Sequence, residues 1–472
     1  MKKFIFLFAL GAFASLSMAP TNFWPALFLG LSVLYICVSR TPKTLGAALH
    51  GFAFSLGYFG FSLSWIGNAL LVEDNPYWWA WPLAISGLPL ILSLFTFVFC
   101  TIHKKICKQR NNTFTLISFT IALFLTDYAR GHLFTGFPWN LYAYTWITAP
   151  PIAQIAGIWN IYLLNGLTIF WALCPAFILC NKNKTPERIF IICLTITSFI
   201  AAYTYGTNQI NYAKEPDGEQ FEITIAQPNI KQSEKWKPEN RANNFISLLE
   251  LSKYNQKTNA KVKAHYIIWP ETAISQDLIN SPWVIEYISK MLSEYPNPAY
   301  LITGALRRKN NNYFNSIIVL NNQGETINTY DKSHLVPFGE YMPLSNIFDI
   351  APIVGFTGFQ KGTPNITLDM PEGIKITPLI CYEIIFPDKI TASDLIINTT
   401  NDAWYGDSAG PYQHMVQTQF RAIEANTPIA RAANTGISGF ITRNGNLIKK
   451  STINSKNKNI HIFTQKAPTS IK

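Results

Sequence analysis

The chain has 472 residues, with 49% hydrophobic and 14% charged side chains and a formal net charge of +11. That length calls for two or three domains, and so few charges exclude an ordinary soluble protein, for which about 25% is usual. A positive excess can mark a nucleic-acid partner, but here Lys2, Lys3, Arg40, Lys43, Lys104, Lys105, Lys108, Arg110, Lys182, Lys184 and Arg188 crowd the N-terminus and alternate loops of an apolar first half, which is a membrane-topology pattern and excludes that partner.

Seven apolar stretches, near 4–19, 22–39, 45–70, 77–102, 113–130, 150–180 and 189–205, are long enough, or nearly so, to span a bilayer. The first follows Lys2-Lys3 and ends in Ser17-Met18-Ala19, as a cleaved signal peptide would. The chain re-enters an apolar stretch at once, which favours a retained helix. The basic loops at 40–44, 103–112 and 181–188 face the cytoplasm, whereas Glu73-Asp74 and the segment 131–149 lie in acidic or nearly uncharged loops. Seven spans from a cytoplasmic start make residues 1–205 a polytopic membrane domain. They put residues 206–472 outside, on the periplasmic side of a bacterial inner membrane. Trp78, Trp79 and Trp81 suit an interfacial aromatic belt. Segment 131–149, with Gly136-Phe137-Pro138-Trp139-Asn140, is too aromatic for a plain polar loop and is expected at the outer interface. Asp127 and Arg130, one helical turn apart, are expected to form a structural ion pair.

From Phe221 onward the texture changes to short strands, at 221–227, 265–270, 300–306, 313–320, 325–331, 373–381, 394–399, 428–433, 438–443 and 459–464. Helical patterns at 239–257, 282–294 and 411–426 alternate with them, which predicts a layered α/β domain. Three strand ends carry reactive side chains. Tyr266-Ile267-Ile268-Trp269-Pro270-Glu271 ends in a carboxylate directly after proline, where Trp269 would lower the local polarity and raise a carboxyl group towards general-base range; taken alone, Glu271 reads equally as a helix N-cap neighbour. Lys332 follows the strand ending in Tyr330-Asp331, and the chain then turns through Pro337 and Gly339 to a second carboxylate, Glu340. Cys381 ends the apolar run that begins near Ile374.

Cys381 is the only cysteine after residue 193; the other six lie in or beside the spans. A lone thiol in an exported domain points away from a disulfide and towards chemistry. Attack on a carbonyl needs a thiolate, a base to take its proton and a cation for the oxyanion. Cys381, Glu271 and Lys332 supply these three. Histidine is the commoner partner of cysteine, so His334 and His414 stand beside Glu271 as alternatives. No His/Cys/Asp cluster has metal-ligand spacing, so neither a metal nor another cofactor is implied.

The Glu, Lys and Cys runs, in this order and at these separations, resemble the nitrilase superfamily. Fused behind a multi-span half, they resemble the apolipoprotein N-acyltransferase family of Gram-negative bacteria. The resemblance covers nearly the whole chain. Trp65-Ile66, Gly136-Phe137-Pro138-Trp139, Gln227-Pro228-Asn229-Ile230, Trp269-Pro270-Glu271-Thr272, Lys332 through Glu340, Cys381-Tyr382-Glu383, Asn398 to Trp404, Gly410 to His414 and Arg431 to Gly436 carry it. It implies a four-layer α-β-β-α nitrilase-type sandwich joined to a multi-span α-helical membrane domain. Glu271 would be general base, Lys332 oxyanion stabiliser and Cys381 nucleophile. Trp236, Glu340, Tyr382 and Glu383 match positions the family needs, with Glu340 supporting the triad and Tyr382 and Glu383 flanking the nucleophile. Trp236 and the loop at Trp404-Tyr405 would border the path of the lipid. The implied reaction is ping-pong transfer of an acyl chain from a phospholipid, through a thioester on cysteine, to the amino group of diacylglyceryl-cysteine in an apolipoprotein. A monomer is expected.

Two features depart from that family. A further membrane helix usually follows the nitrilase domain, whereas here the chain closes with Lys456-Asn457-Lys458 and Gln465 to Ser470, which implies an outer domain tethered at one end. Asp127 also stands where glutamate is expected. A membrane-anchored amidase, with water in place of the amine, would use the same triad. A polytopic transporter is disfavoured because the central spans carry almost no charge.

Overall fold

A computed structural model describes residues 1–72, 75–107, 113–180, 185–212, 220–254, 262–343, 358–450 and 460–466. The features expected at Glu73-Asp74, Lys108, Arg110, Lys182, Lys184, Lys456 to Lys458 and 467–470 lie outside the described residues. The chain divides into two compact units. Met1–Asn68, Trp79–Tyr212 and Ser408–Glu424 form one, and Ala69–Trp78, Ala213–Asp407 and Ala425–Lys472 the other.

The first unit is helical. Its long helices are α1 (Lys2–Ala14), α2 (Trp24–Arg40), α3 (Thr44–Ser62), α4 (Trp81–Cys107), α5 (Thr113–His132), α6 (Ile161–Cys180) and α7 (Thr185–Tyr212), one to each apolar stretch. Among the described residues, Trp78–Cys107, Ile161–Cys180 and Thr185–Asn211 are long and apolar enough to cross a membrane, with mean hydropathies of 2.3, 2.0 and 1.8. Leu83 and Leu94 on α4, and Ile196 and Ile200 on α7, are exposed, as side chains facing lipid would be. Helices α1 and α3 meet through glycines: a Cβ on Gly11 would collide with the Phe54 carbonyl, and one on Gly57 with the Phe8 carbonyl. Removing those two side chains lets the backbones touch.

Two stretches are less continuous than their hydropathy suggests. Helix α3 stops at Ser62 and Ser64–Leu71 continues as 3-10 turns. The stretch 150–180 breaks at Asn160, where φ is 127°, leaving two short helices, Pro150–Ala153 and Ala156–Trp159, before α6. The aromatic segment that follows α5 is not laid out as a surface loop: Trp139 to Trp146 are buried. Arg130 makes this possible. It donates to the carbonyls of Phe137 and Trp139, each at 2.8 Å, while its Nε pairs with Asp127 at 2.8 Å. Non-helical backbone inside protein needs such partners.

The second unit is built on two six-stranded sheets. Their strands are β1 (Gln220–Ala226), β2 (Ala264–Ile268), β3 (Ala299–Lys309), β4 (Asn312–Leu320), β5 (Thr326–Asp331), β6 (Leu368–Asp369), β7 (Lys375–Ile380), β8 (Leu395–Thr400), β9 (Ile429–Ala433), β10 (Gly439–Ile441), β11 (Leu447–Lys450) and β12 (Ile460–Lys466). The first sheet runs β12-β1-β2-β3-β4-β5 and the second β11-β10-β9-β8-β7-β6. Strands β1, β2 and β3 are mutually parallel, as are β7, β8 and β9. Alternation then divides the apolar side chains between two cores. Tyr266, Ile268, Ile302 and Ile317 share one with Ile376, Ile380, Ile397 and Phe440 of the other sheet. Ile267, Leu301 and Ile318 turn the opposite way, onto Phe245 and Leu248 of α8 (Pro238–Leu251) and Val284 and Ile288 of α9 (Pro282–Ser293). The order helix, sheet, sheet is that of three of the four expected layers. The crossover from β8 to β9 is α10 (Gly410–Ala425), most of which is grouped with the helical unit.

Candidate active site

The reactive residues sit where the parallel strands end. Strand β5 is antiparallel to β4 and β4 to β3, so β5 runs with β2. Glu271 after β2 and Lys332 after β5 therefore emerge at the same rim of one sheet. Cys381 is the first residue beyond β7 in the other sheet, with φ of +49°, and opens the 3-10 turn Cys381–Ile385. A left-handed conformation is costly for a side chain with a Cβ and swings the thiol off the strand axis.

Carboxylates converge on Lys332. Its Nζ lies 2.8 Å from Glu340 Oε1 and 3.7 Å from Glu271 Oε1. All three side chains are buried. Asn315 on β4 completes the group: its Nδ2 donates to Glu271 Oε1 at 2.7 Å and to Glu340 Oε1 at 3.2 Å, and its carbonyl accepts the Lys332 N–H at 2.8 Å. Glu340 Oε2 accepts the Val336 N–H at 2.8 Å, which closes the loop between Lys332 and Glu340.

The electrostatics follow from burial and pairing. Burial raises the Glu271 pKa, Glu340 adds to the rise, and Lys332, Asn315 and Lys235 oppose it. Burial works against the Lys332 ammonium, but Glu340 and Glu271 outweigh it and hold that pKa above the ordinary lysine value. The Cys381 thiol is pushed up to about 12 by burial and then by Glu271, with Lys332 acting in the opposite direction. The resting site thus holds a neutral thiol, a fixed cation and a carboxyl group disposed to accept a proton. Such a set can attack a carbonyl and stabilise the alkoxide that forms.

Glu383 ties the Cys381 turn to this group. Its Oε2 accepts the N–H of Ile380, the residue before Cys381, at 2.9 Å. Its Oε1 accepts from the N–H of Ser333 at 2.8 Å, the N–H of His334 at 3.0 Å, Ser333 Oγ at 2.9 Å and the Tyr330 hydroxyl at 2.7 Å. Tyr382 is buried against Phe386, ring centroids 5.1 Å apart. Trp236 is half-buried with Lys235 Nζ 5.3 Å from its ring, and both line a cleft with Pro270, Thr272 and Asn434. Trp404 is half-buried in the 3-10 turn Asp402–Tyr405, and Tyr405 lies within electrostatic reach of Cys381 and Asp402.

The two histidine alternatives each have an aromatic neighbour within their own unit. The His334 ring stacks on Phe386, centroids 4.0 Å apart, and burial lowers its pKa to about 4. His414 belongs to the helical unit, where its ring lies against Trp139. Asn315 and Lys235 are absent from the sequence-based site. The available signals were an amide inside the apolar strand Phe314 to Leu320 and a cation beside Trp236.

Comparison with known proteins bears on both units. The profile of the family described as "Apolipoprotein N-acyltransferase N-terminal domain" matches residues 10–174, and that described as "Carbon-nitrogen hydrolase" matches residues 222–463. The apolipoprotein N-acyltransferase of Allorhizobium ampelinum is 33% identical over 483 residues, spanning 97% of this chain and 89% of that protein. That of Rhodopseudomonas palustris is 33% identical over 470 residues, spanning 95% of this chain and 87% of its own. Among solved structures, a CN-hydrolase superfamily protein from Xanthomonas campestris has a TM-score of 0.39 and 19% identity, covering 53% of this chain and 91% of that one. A branch 10 nitrilase-superfamily member from Saccharomyces cerevisiae has a TM-score of 0.40 and 15% identity, covering 52% and 90%.

Proposed function

Because the chain belongs to the apolipoprotein N-acyltransferase family, we infer that Cys381, Glu271 and Lys332 are its catalytic residues and that they move an acyl chain through a thioester. The chain is an N-acyltransferase of lipoprotein maturation, a membrane enzyme carrying a nitrilase-superfamily catalytic domain. The observation that carries the residue assignment is the buried Lys332 ammonium, 3.7 Å from Glu271 and 2.8 Å from Glu340, with both Lys332 and Glu271 within electrostatic reach of the Cys381 thiol.

The first half-reaction takes a phospholipid as donor. Cys381 Sγ attacks the ester carbonyl while Glu271 accepts the thiol proton, so no standing thiolate is required. Lys332 and the main-chain N–H near Tyr382 stabilise the oxyanion. The carbon–oxygen bond breaks, the proton passes from Glu271 to the leaving alkoxide, and lysophospholipid departs. The α-amino group of diacylglyceryl-cysteine then attacks the thioester, Glu271 takes the amine proton, and the thiolate leaves and is reprotonated. Glu340 holds Lys332 in place, Tyr382 and Glu383 hold the nucleophile turn, and Trp236 and Trp404 border the lipid path.

Residues 1–205 serve as the membrane domain and 206–472 as the catalytic domain on the periplasmic face of the inner membrane, a reading supported by the basic loops on the opposite side. Action as a monomer belongs to the same reading. The test is mass spectrometry of the purified protein after incubation with phospholipid alone. An added acyl mass on Cys381, discharged by diacylglyceryl lipopeptide, is expected. Discharge by water only would make the protein a hydrolase, and no adduct would remove Cys381 from the mechanism.

A further inference from the structure

We propose that Lys235 is a positioning residue for this reaction: seated against the Pro270-Glu271-Thr272 turn, its ammonium fixes the backbone from which the Glu271 carboxyl group projects and keeps a positive charge beside it. The proposal rests on Glu271 being the general base.

A buried lysine needs a reason, because its charged group gives up water. Lys235 is only 7% exposed. Both of its hydrogen-bond acceptors belong to the turn that carries the base: Nζ donates to the main-chain carbonyl of Glu271 at 2.9 Å and to Thr272 Oγ1 at 2.7 Å. The Trp236 ring centroid lies 5.3 Å from the ammonium, within cation–π range. The turn itself needs support. Thr272 is β-branched yet has φ of +46°, a conformation that persists only where its surroundings enforce it. From β3, Gly304 N–H donates to the Pro270 carbonyl at 3.2 Å, and a Cβ at Gly304 would collide with Pro270 and Thr272. Lys235 supplies the second clamp.

Its charge has a separate effect. The groups acting on the Glu271 carboxyl are Lys332, Glu340, Asn315, Cys381, Tyr405 and Lys235. With Glu340 beside it, Glu271 shares Lys332 with a second carboxylate, and Lys235 is the further cation. Burial pulls Lys235 down to about 8, and Glu271 and Cys381 act against that pull, so the charge on each partner supports the other. A carboxyl group that must be ionised to accept a proton benefits directly.

The experiment compares full-length wild type, K235M, K235Q and K235R in detergent with phospholipid and diacylglyceryl lipopeptide, following kcat/KM from pH 5 to 9, with thermal melting as a check of folding. K235M is expected to lose roughly tenfold or more in kcat/KM and to move the acid limb upward by about half a pH unit or more. K235Q keeps a donor without charge and is expected to show the same shift with a smaller loss. K235R keeps the charge and should leave the acid limb where wild type has it. Should K235M not fold, the contrast between K235Q and K235R decides. An unmoved acid limb in the uncharged variants, or equal losses in all three, would overturn the proposal. E271Q and C381A run in parallel: transfer retained by either would sink the catalytic assignment itself, whereas silent controls beside a wild-type-like K235M would sink only the role of Lys235.

Discussion

Glu383 Oε1 accepts the main-chain N–H of Ser333 at 2.8 Å, and through this contact the turn that carries Lys332 is held to the turn that carries Cys381. The two turns come from different sheets, so the carboxylate sets the spacing between cation and nucleophile. Glutamine in its place offers one oxygen and puts an amide N–H against donors. E383Q is therefore expected to cost about 2–4 kcal/mol of stability and roughly a hundredfold or more in acyl transfer. Thermal unfolding with turnover measured on the folded fraction checks both.

Glu340 affects Glu271 through charge as well as through Lys332. It raises the Glu271 pKa; a neutral E340Q removes the like charge, so the acid limb of the pH profile should move downward. Activity should fall at every pH because Lys332 loses the charge of its 2.8 Å partner. An acid limb that moved upward would contradict this account of the site.

The thiol is expected to be unreactive at rest. With its pKa pushed up to about 12, Cys381 should alkylate slowly with iodoacetamide at pH 7–8, with a rate still climbing past pH 9. A plateau near neutral pH would mean a stored thiolate and would remove the need for Glu271 as base.

The site should also lower stability. Glu271 has a folded pKa raised above its unfolded value, so the folded protein binds more protons in that interval and loses stability as pH rises through it. Glutamine does not titrate. E271Q is expected to be inactive yet at least as heat-resistant as wild type at pH 7–8, with the difference vanishing below about pH 4.

Helix packing at Gly57 offers a test far from the chemistry. Leucine there must push α1 away from α3 because it would meet the Phe8 carbonyl. G57L should reduce the yield of folded protein in detergent and lower its Tm by several degrees, whereas G60L, with open space around it, should be tolerated.

The sequence made some of this architecture legible and concealed the rest for physical reasons. Glu271, Lys332 and Cys381 stood out as candidates because each ends a strong apolar run, but side-chain chemistry alone left His334 and His414 beside Glu271, and only the family resemblance chose among them. Asn315 was hidden because a single amide inside Phe314 to Leu320 reads as an ordinary strand residue until β4 is seen between β3 and β5. Lys235 was hidden because lysines usually face water, and nothing local reveals its burial. Strand β6, with two residues, and β11, with four, are too short to show alternation. The break at Asn160 was masked by apolar residues on both sides, which hydropathy averages over.

Gln413 on α10 gives the helical unit a timetable. Its Oε1 accepts from the indole N–H of Trp65 at 3.0 Å and of Trp139 at 2.8 Å and from Asn140 Nδ2 at 3.3 Å, and its Nε2 donates to the Ser62 carbonyl at 3.1 Å. These partners leave the ribosome some 270 to 350 residues before Gln413 does. Until β1 to β8 have been synthesised, the polar centre of the helical unit lacks its acceptor. The two halves are thus consecutive in the gene but completed together in time, and a chain truncated before residue 413 leaves the end of α3 and the segment after α5 without their shared partner.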